Sequence, residues 1–268
     1  DKFKVRNNIA LYNVKLKNYD KGIEILEELA LLSDNGYDVT IELADSYIQC
    51  QEYQKALDRY IVLLDKSTQR EAKNLRLLIC ELYIAWATKM AEQEKFEDSF
   101  KYLDKAIEYN AMNPEIYYQI GLNNLAQKNY VNAVEFLNRS LEYDKFNKIH
   151  AKIFLKLSEA HHNLGNFFEE KKALTDLLKI DSNNALGLYR VGLMYIAQHD
   201  TKSAEESLKK ALQIDPELLQ AKYNLALLYE SNNRERAKEL YMEVLEQDPS
   251  YEEARNALTD LSSSDYEY

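Results

Sequence analysis

Glycine and proline are scarce in this chain, at 6 and 3 among 268 residues, which is too few for the turn-dense connections of a β sandwich or barrel. Cysteine is scarcer still: Cys50 and Cys80 stand alone, with no C-x-x-C spacing and no disulfide framework, so stability does not rest on oxidation. They read as two small hydrophobes in helices. No run approaches the roughly 18 consecutive apolar residues of a membrane span, which argues against membrane insertion. Cations are in deficit, 34 Lys and Arg against 45 Asp and Glu for a formal charge of −11. That balance repels phosphate backbones and anionic lipid and argues against nucleic acid as a partner. Phosphate-cradling glycine loops, H-E-x-x-H and nucleophile elbows are all missing. The chain opens on Asp1 rather than Met, with no signal peptide visible, which reads as a trimmed chain or a piece of a longer one.

What is present is a repeat. Residues 185–218, ALGLYRVGLMYIAQHDTKSAEESLKKALQIDPEL, place Leu188, Val191, Gly192 and Tyr195 at i, i+3, i+4 and i+7, one stripe of a helix. Ala204, Leu208, Ala211 and Leu212 form a second stripe. Polar His199 and Asp200 separate the two, and Pro216 ends the second because proline cannot continue a helix. A helical hairpin that is apolar on both inner faces cannot bury them alone. It needs copies of itself on either side.

The same pattern recurs along the chain with a period of 34. It resembles the tetratricopeptide repeat family, whose signature is a large apolar residue at position 4, Leu at 7, Gly or Ala at 8, Tyr at 11, Ala at 20, an aromatic at 24, Ala at 27 and Pro at 32. Leu188, Val191, Gly192, Tyr195, Ala204, Leu208, Ala211 and Pro216 carry the match in the best copy. The resemblance implies an all-α, right-handed α-solenoid of about seven helix-turn-helix repeats.

The copies fall at 3–36, 37–70, 80–113, 114–147, 151–184, 185–218 and 219–251, with a capping helix at 252–261 and a disordered acidic tail at 262–268. The first is degenerate, with Arg6, Asn13 and Gly22 off pattern. Between the second and third the register breaks by nine residues, 71–79. That stretch has no turn residues, and Leu75, Leu78, Ile79, Leu82 and Trp86 continue one stripe across it. The third repeat's first helix is therefore expected to extend backwards by about 13 Å, at 1.5 Å per residue. The overhang is expected to pack on the second repeat, with a partner ledge or a self-association surface as the alternatives. Trp86 occupies a core position. The fifth copy departs at His161, in place of Tyr, and at Glu170, in place of a small residue, which predicts local loosening there.

The residues give no support for catalysis or for a metal. His161 and His162 are helix neighbours that point about 100° apart, which is wrong for sharing an ion; His161 reads as packed and His162 as solvent-facing. Glu27-Glu28, Glu169-Glu170 and Glu205-Glu206 read as surface charge beside lysines. The sequon Asn138-Arg139-Ser140 lies inside a helical stripe with Ser140 on the packed face and reads as chance. No cofactor is expected.

The resemblance implies a concave wall built by the first helix of each repeat. Repeats two and three would offer Asp38, Glu42, Asp45, Gln49, Glu81, Thr88 and Glu92, a mostly acidic stretch. Repeats four to seven would offer an apolar and aromatic one, with Tyr118, Gln119, Leu122, Lys156, Tyr189, Arg190, Leu193, Tyr223, Asn224 and Leu227 as the expected partner-binding residues. Leucine at position 9 is unusual for the family, so Leu122, Leu193 and Leu227 either pack on a neighbouring first helix or form a docking surface. The co-chaperone members hold a C-terminal carboxylate with a Lys, Asn, Asn, Lys, Arg set across three repeats. No three consecutive repeats here supply it: Leu155 and Glu159, and Ile41 and Asp45, stand where the first Lys and Asn are required.

The expectation is a non-catalytic protein–protein interaction scaffold that holds a protein or peptide segment in its groove, cytoplasmic in the first instance. The alternative is a regulatory or targeting domain of a larger enzyme or envelope-associated assembly, periplasmic or membrane-tethered.

Overall fold

The computed structural model describes residues 2–32 and 37–263, and these form fifteen α-helices with no strand among them. They gather into two compact units, 1–145 and 146–268. In the first, α1 (Lys2–Lys15) pairs with α2 (Tyr19–Leu32), α3 (Tyr37–Gln49) with α4 (Tyr53–Lys66), α5 (Gln69–Glu92) with α6 (Phe96–Asn110), and α7 (Pro114–Ala126) with α8 (Tyr130–Tyr143). In the second, α9 (His150–Asn163) pairs with α10 (Phe167–Ile180), α11 (Ala185–Ala197) with α12 (Thr201–Ile214), and α13 (Leu219–Tyr229) with α14 (Arg234–Gln247). A last helix, α15 (Glu252–Ser263), packs on α14.

Small residues bring each pair together. Ala10, Ala44, Ala87 and Ala226 on the first helices, and Ala56, Ala133, Ala204 and Ala237 on the second, are fully buried. At the tightest crossing even a methyl group is too much: a Cβ on Gly192 would lie 2.8 Å from the Leu208 side chain. Leucine and tyrosine fill the space beside these contacts. Tyr60 and Tyr241 are buried outright, with hydroxyls donating to Asp45 and Glu230 at 2.7 Å each. Burial and the neighbouring carboxylate both push these phenols far above the ordinary tyrosine range. Cys80 is likewise buried, and desolvation raises its thiol to about 11.

Each of the first six hairpins turns on one residue with positive φ, and the register of that residue is constant. Lys17, Gln51, Glu94, Lys128 and His199 take φ between 58° and 65°, and Gly165 takes 70°. The seventh hairpin is one residue shorter between Glu230 and Asn233, and no residue there has positive φ.

The expected overhang is one continuous helix. Thr68 starts α5 with a reciprocal cap, its backbone N–H donating to the Glu71 carboxylate at 2.8 Å, which satisfies two of the donors a helix start leaves free. Leu75 and Ile79 are fully buried in the core of the first unit. The extension is thus built into the packing. Trp86 is half-buried rather than enclosed, stacked on Tyr102 with ring centroids 4.2 Å apart. Ser140 is buried with its hydroxyl donated to the Pro114 carbonyl, so the sequon's Ser is committed to the fold. At the other end α15 runs through Ser263, with Ser262 Oγ donating to the Leu258 carbonyl. The rest of the expected tail, 264–268, lies outside the described residues.

One sequence reading is overturned. Glu170 is not surface charge but 3% exposed, because it occupies the inward site that alanine fills in other copies. Its carboxylate reaches back to α9, where both oxygens lie 3.2 Å from His162 Nδ1. Glu27 and Glu205 are also more than solvated charge. Each accepts a tyrosine hydroxyl, from Tyr47 and from Tyr229.

Candidate partner-binding surface

First helices α9, α11 and α13 of the second unit present neighbouring side chains, and direct contacts tie the three together. Arg190 on α11 reaches Glu159 on α9 at 3.2 Å, and Lys156 reaches the same Glu159 oxygen at 3.0 Å. From α13, Asn224 Nδ2 donates to Tyr189 Oη at 3.4 Å. The cations and the amide are thus oriented before any partner arrives. Holding them costs side-chain entropy that a ligand need not pay again.

The 100° step of a helix puts Tyr189, Arg190, Leu193 and Ile196 along one edge of α11, at i, i+1, i+4 and i+7. All four are half-buried. On α13, Tyr223 and Asn224 are half-buried while Leu227 is 40% exposed. The Tyr223 ring sits 5.4 Å from Tyr251 and 5.7 Å from Tyr241, which fixes its plane. Burial raises the Tyr189 and Tyr223 phenols above the ordinary range, against the lowering effect of Arg190 on Tyr189. Both remain neutral hydroxyls at physiological pH.

The expected residues on α7, in the first unit, are placed differently. Tyr118 and Gln119 are buried, and Leu122 is half-buried. Gln119 opens a buried polar chain: its Nε2 donates to Asn123 Oδ1 at 3.2 Å, Asn123 Nδ2 donates to Ser99 Oγ at 2.8 Å, and Ser99 Oγ donates to the Ala87 carbonyl at 2.7 Å. Polar residues at inward positions, Asn123 and Ser99, were the sequence signal for it.

The acidic stretch is partly spent on internal bonds. Glu42 accepts from Asn7 at 2.8 Å, Asp45 accepts from Tyr60, and Glu92 pairs with Lys89 at 3.3 Å. Asp38, Gln49 and Glu81 are exposed. Among the described residues, no three His, Cys, Asp or Glu side chains are placed to hold a metal ion. No helix among them is long and apolar enough to cross a membrane.

Two family models described as tetratricopeptide repeat match residues 85–148 and 195–261. Among curated proteins, peptidyl-prolyl cis-trans isomerase FKBP4 of Rattus norvegicus is 29% identical over 158 residues, covering 56% of this chain and 34% of its own length. The Homo sapiens protein of that name is 28% identical over 193 residues, or 64% of this chain and 42% of its own length. The chain thus spans well under half the length of the curated relatives it matches. Among solved structures, the C-terminal part of a TPR repeat-containing protein from Cytophaga hutchinsonii superposes with a TM-score of 0.62 at 18% identity, over 94% of this chain and 99% of the other. The APC/C hetero-tetramer Cut9-Hcn1 gives 0.58 at 16% identity, over 84% of this chain and 42% of that one. These likenesses speak for the fold.

Proposed function

As a chain that belongs to the tetratricopeptide repeat family, this is a helical repeat protein of a kind that mediates protein–protein contact, and we propose that it works as a non-catalytic scaffold whose second unit holds a partner segment. The segment lies against Lys156, Tyr189, Arg190, Leu193, Tyr223, Asn224 and Leu227. The observation that carries this reading is the placement of Leu227, 40% exposed, beside half-buried Tyr189, Leu193 and Tyr223 and within reach of two oriented cations. Apolar anchors with a charged rim supply affinity and orientation respectively. The bonds already made by Arg190 and Asn224 mean that binding needs little rearrangement. A protein or peptide is favoured over nucleic acid by the net charge of −11, which works against a phosphate backbone.

The test is a pull-down with the wild type and the Leu193→Glu, Leu227→Glu double variant. Loss of the partners with unchanged circular dichroism supports the reading. Retention of all of them with the fold intact sinks it.

A second reading is that the chain serves a larger protein as its regulatory or targeting module. The partial coverage of the isomerase relatives favours it, since those proteins carry the matched stretch within a chain more than twice as long. The two readings are compatible, because a module of this kind targets by binding.

A further inference from the structure

The first helix carries an apolar face in a register that is covered in the other hairpins of both units. The third, seventh and tenth positions of a repeat are Val39, Leu43 and Ser46 on α3, and Ile116, Ile120 and Asn123 on α7, all 6% exposed or less. On α11, Gly187 and Met194 are buried and Val191 is half-buried; on α13, Ala221 and Leu225 are buried and Leu228 is half-buried. On α5, Leu82 is fully buried. In each case the second helix of the preceding hairpin packs there: α2 on α3, α4 on α5, α6 on α7, α10 on α11, α12 on α13. On α1 the same positions are Val5, Ile9 and Tyr12, and they stay 57%, 46% and 63% exposed. Leu16, just past the helix, extends the stripe at 54%.

The flanks of this stripe have a sign. Lys2, Lys4, Arg6 and Lys15 lie on α1, which holds no carboxylate, in a chain whose net charge is −11. At 100° per residue, Lys4 and Lys15 border one edge of the stripe and Lys2 the other, while Arg6 is paired with Glu28. A second copy would set the same cations against these. Nor does α15 offer a complement. Its buried residues face inward, and Glu252, Glu253, Arg255, Asn256 and Asp260 are exposed.

We propose that the Val5, Ile9, Tyr12, Leu16 face docks an acidic amphipathic helix of a partner protein, seated on α1 as α2 sits on α3. Two independent features support this: continuity with a packing mode used repeatedly in the same chain, and charge complementarity that selects for acid. The apolar stripe supplies the buried contact and Lys2, Lys4 and Lys15 set the sign of the partner's flanks. The proposal does not depend on the surface of the second unit.

The probe is a peptide of this chain's own α2, YDKGIEILEELALL, with blocked ends and an i,i+4 side-chain staple whose helicity is verified by circular dichroism. It is titrated into the full isotope-labelled 268-residue chain and followed by amide chemical shifts. The expected result is saturable shifts on α1 at Val5, Ile9 and Tyr12. Ile9→Glu and Tyr12→Glu should each weaken binding by about tenfold or more, and Lys4→Glu, Lys15→Glu should weaken it further at low salt than at high. Because these residues are exposed, thermal melts of the variants should match the wild type. Absence of shifts on α1 at roughly a hundredfold peptide excess overturns the proposal, as does equal binding by a peptide whose Glu24, Glu27 and Glu28 are replaced by Lys. A dimer in light scattering that Ile9→Glu abolishes assigns the face to a second copy instead. Binding to phosphatidylserine vesicles that Ile9→Glu abolishes assigns it to a membrane surface, and either outcome overturns the partner reading.

Discussion

Glu170, buried to 3% exposure in the fifth hairpin, faces His162 with Nδ1 at 3.2 Å from both carboxylate oxygens. The position belongs to alanine elsewhere: Ala56, Ala133, Ala204 and Ala237 are fully buried in the corresponding place. Breaking and removing this pair have different costs. His162→Ala leaves a buried carboxylate without its histidine partner, and should destabilise the protein by about 1–3 kcal/mol. Glu170→Ala installs the residue that the other hairpins use, and should change stability by less than about 1 kcal/mol or raise it. Urea denaturation of the two variants and their combination checks this. A double variant as unstable as His162→Ala would show that the histidine acts through something other than Glu170.

Next to this pair, His161 is held below its ordinary pKa of 6.5 because burial disfavours the imidazolium, against the opposing pull of Glu169 and Glu170 and with a small push from Lys172. Its Nδ1 is buried with no hydrogen-bond partner among the described residues. The unfolded chain therefore takes up a proton on this group at a higher pH than the folded chain does. Stability is at its full value above about pH 6.5 and falls as the pH drops from there toward the lowered folded-state pKa. His161→Phe should flatten that part of the profile relative to the wild type, which isolates it from His162 and the carboxylates. Thermal melts of both proteins between pH 5 and 8 make the comparison.

The hairpin turns give a third expectation. A side chain in the left-handed region costs about 1–2 kcal/mol relative to glycine, and Lys128 and Glu94 sit there at φ 61° and 60°. Glycine at either site relieves that cost and gives back about half of it by loosening the unfolded chain. Lys128→Gly and Glu94→Gly should each raise stability by up to about 1 kcal/mol. Gly165→Ala should do the reverse: a Cβ there meets nothing within 4 Å, so any loss of about 0.5–1 kcal/mol is backbone cost alone. Differential scanning calorimetry of the three variants reads the effect; a stabilised Gly165→Ala would contradict it.

The hairpins were legible in the sequence because their packing is periodic. Leu43, Ala44, Ala87, Leu103 and Leu137 repeat at fixed spacing and all end fully buried, and the unbroken stripe across 71–79 anticipated α5 as one long helix. The candidate surface was less legible. Tyr118 and Gln119 occupy the same repeat positions as Tyr189 and Arg190, yet the first pair is buried and the second half-buried. Repeat position fixes which way a side chain leaves its helix, but cover depends on what neighbouring helices bring. Glu170 failed for a related reason. Its residue type argued for solvent, its position argued for the core, and a histidine eight residues away in sequence let position win.

The last expectation concerns peptides that end in a free carboxylate. Where the resembled co-chaperone pattern requires Lys and Asn, the fifth hairpin has Leu155 and Glu159. Glu159 is itself held by Lys156 at 3.0 Å and Arg190 at 3.2 Å, so the two cations that could meet a terminal carboxylate already share one, and an incoming anion must displace it. In the second hairpin Ile41 and Asp45 stand at those positions, and Asp45 accepts from Tyr60. Both sites present a carboxylate where the ligand would bring another, and like charges in a half-buried setting cost affinity. A chaperone C-terminal pentapeptide should therefore bind no more tightly than about 1 mM, and amidating its C-terminus should change its affinity less than about twofold. Isothermal titration with the acid and amide forms decides this; micromolar binding that amidation abolishes would mean that Lys156 and Arg190 release Glu159 to take the ligand.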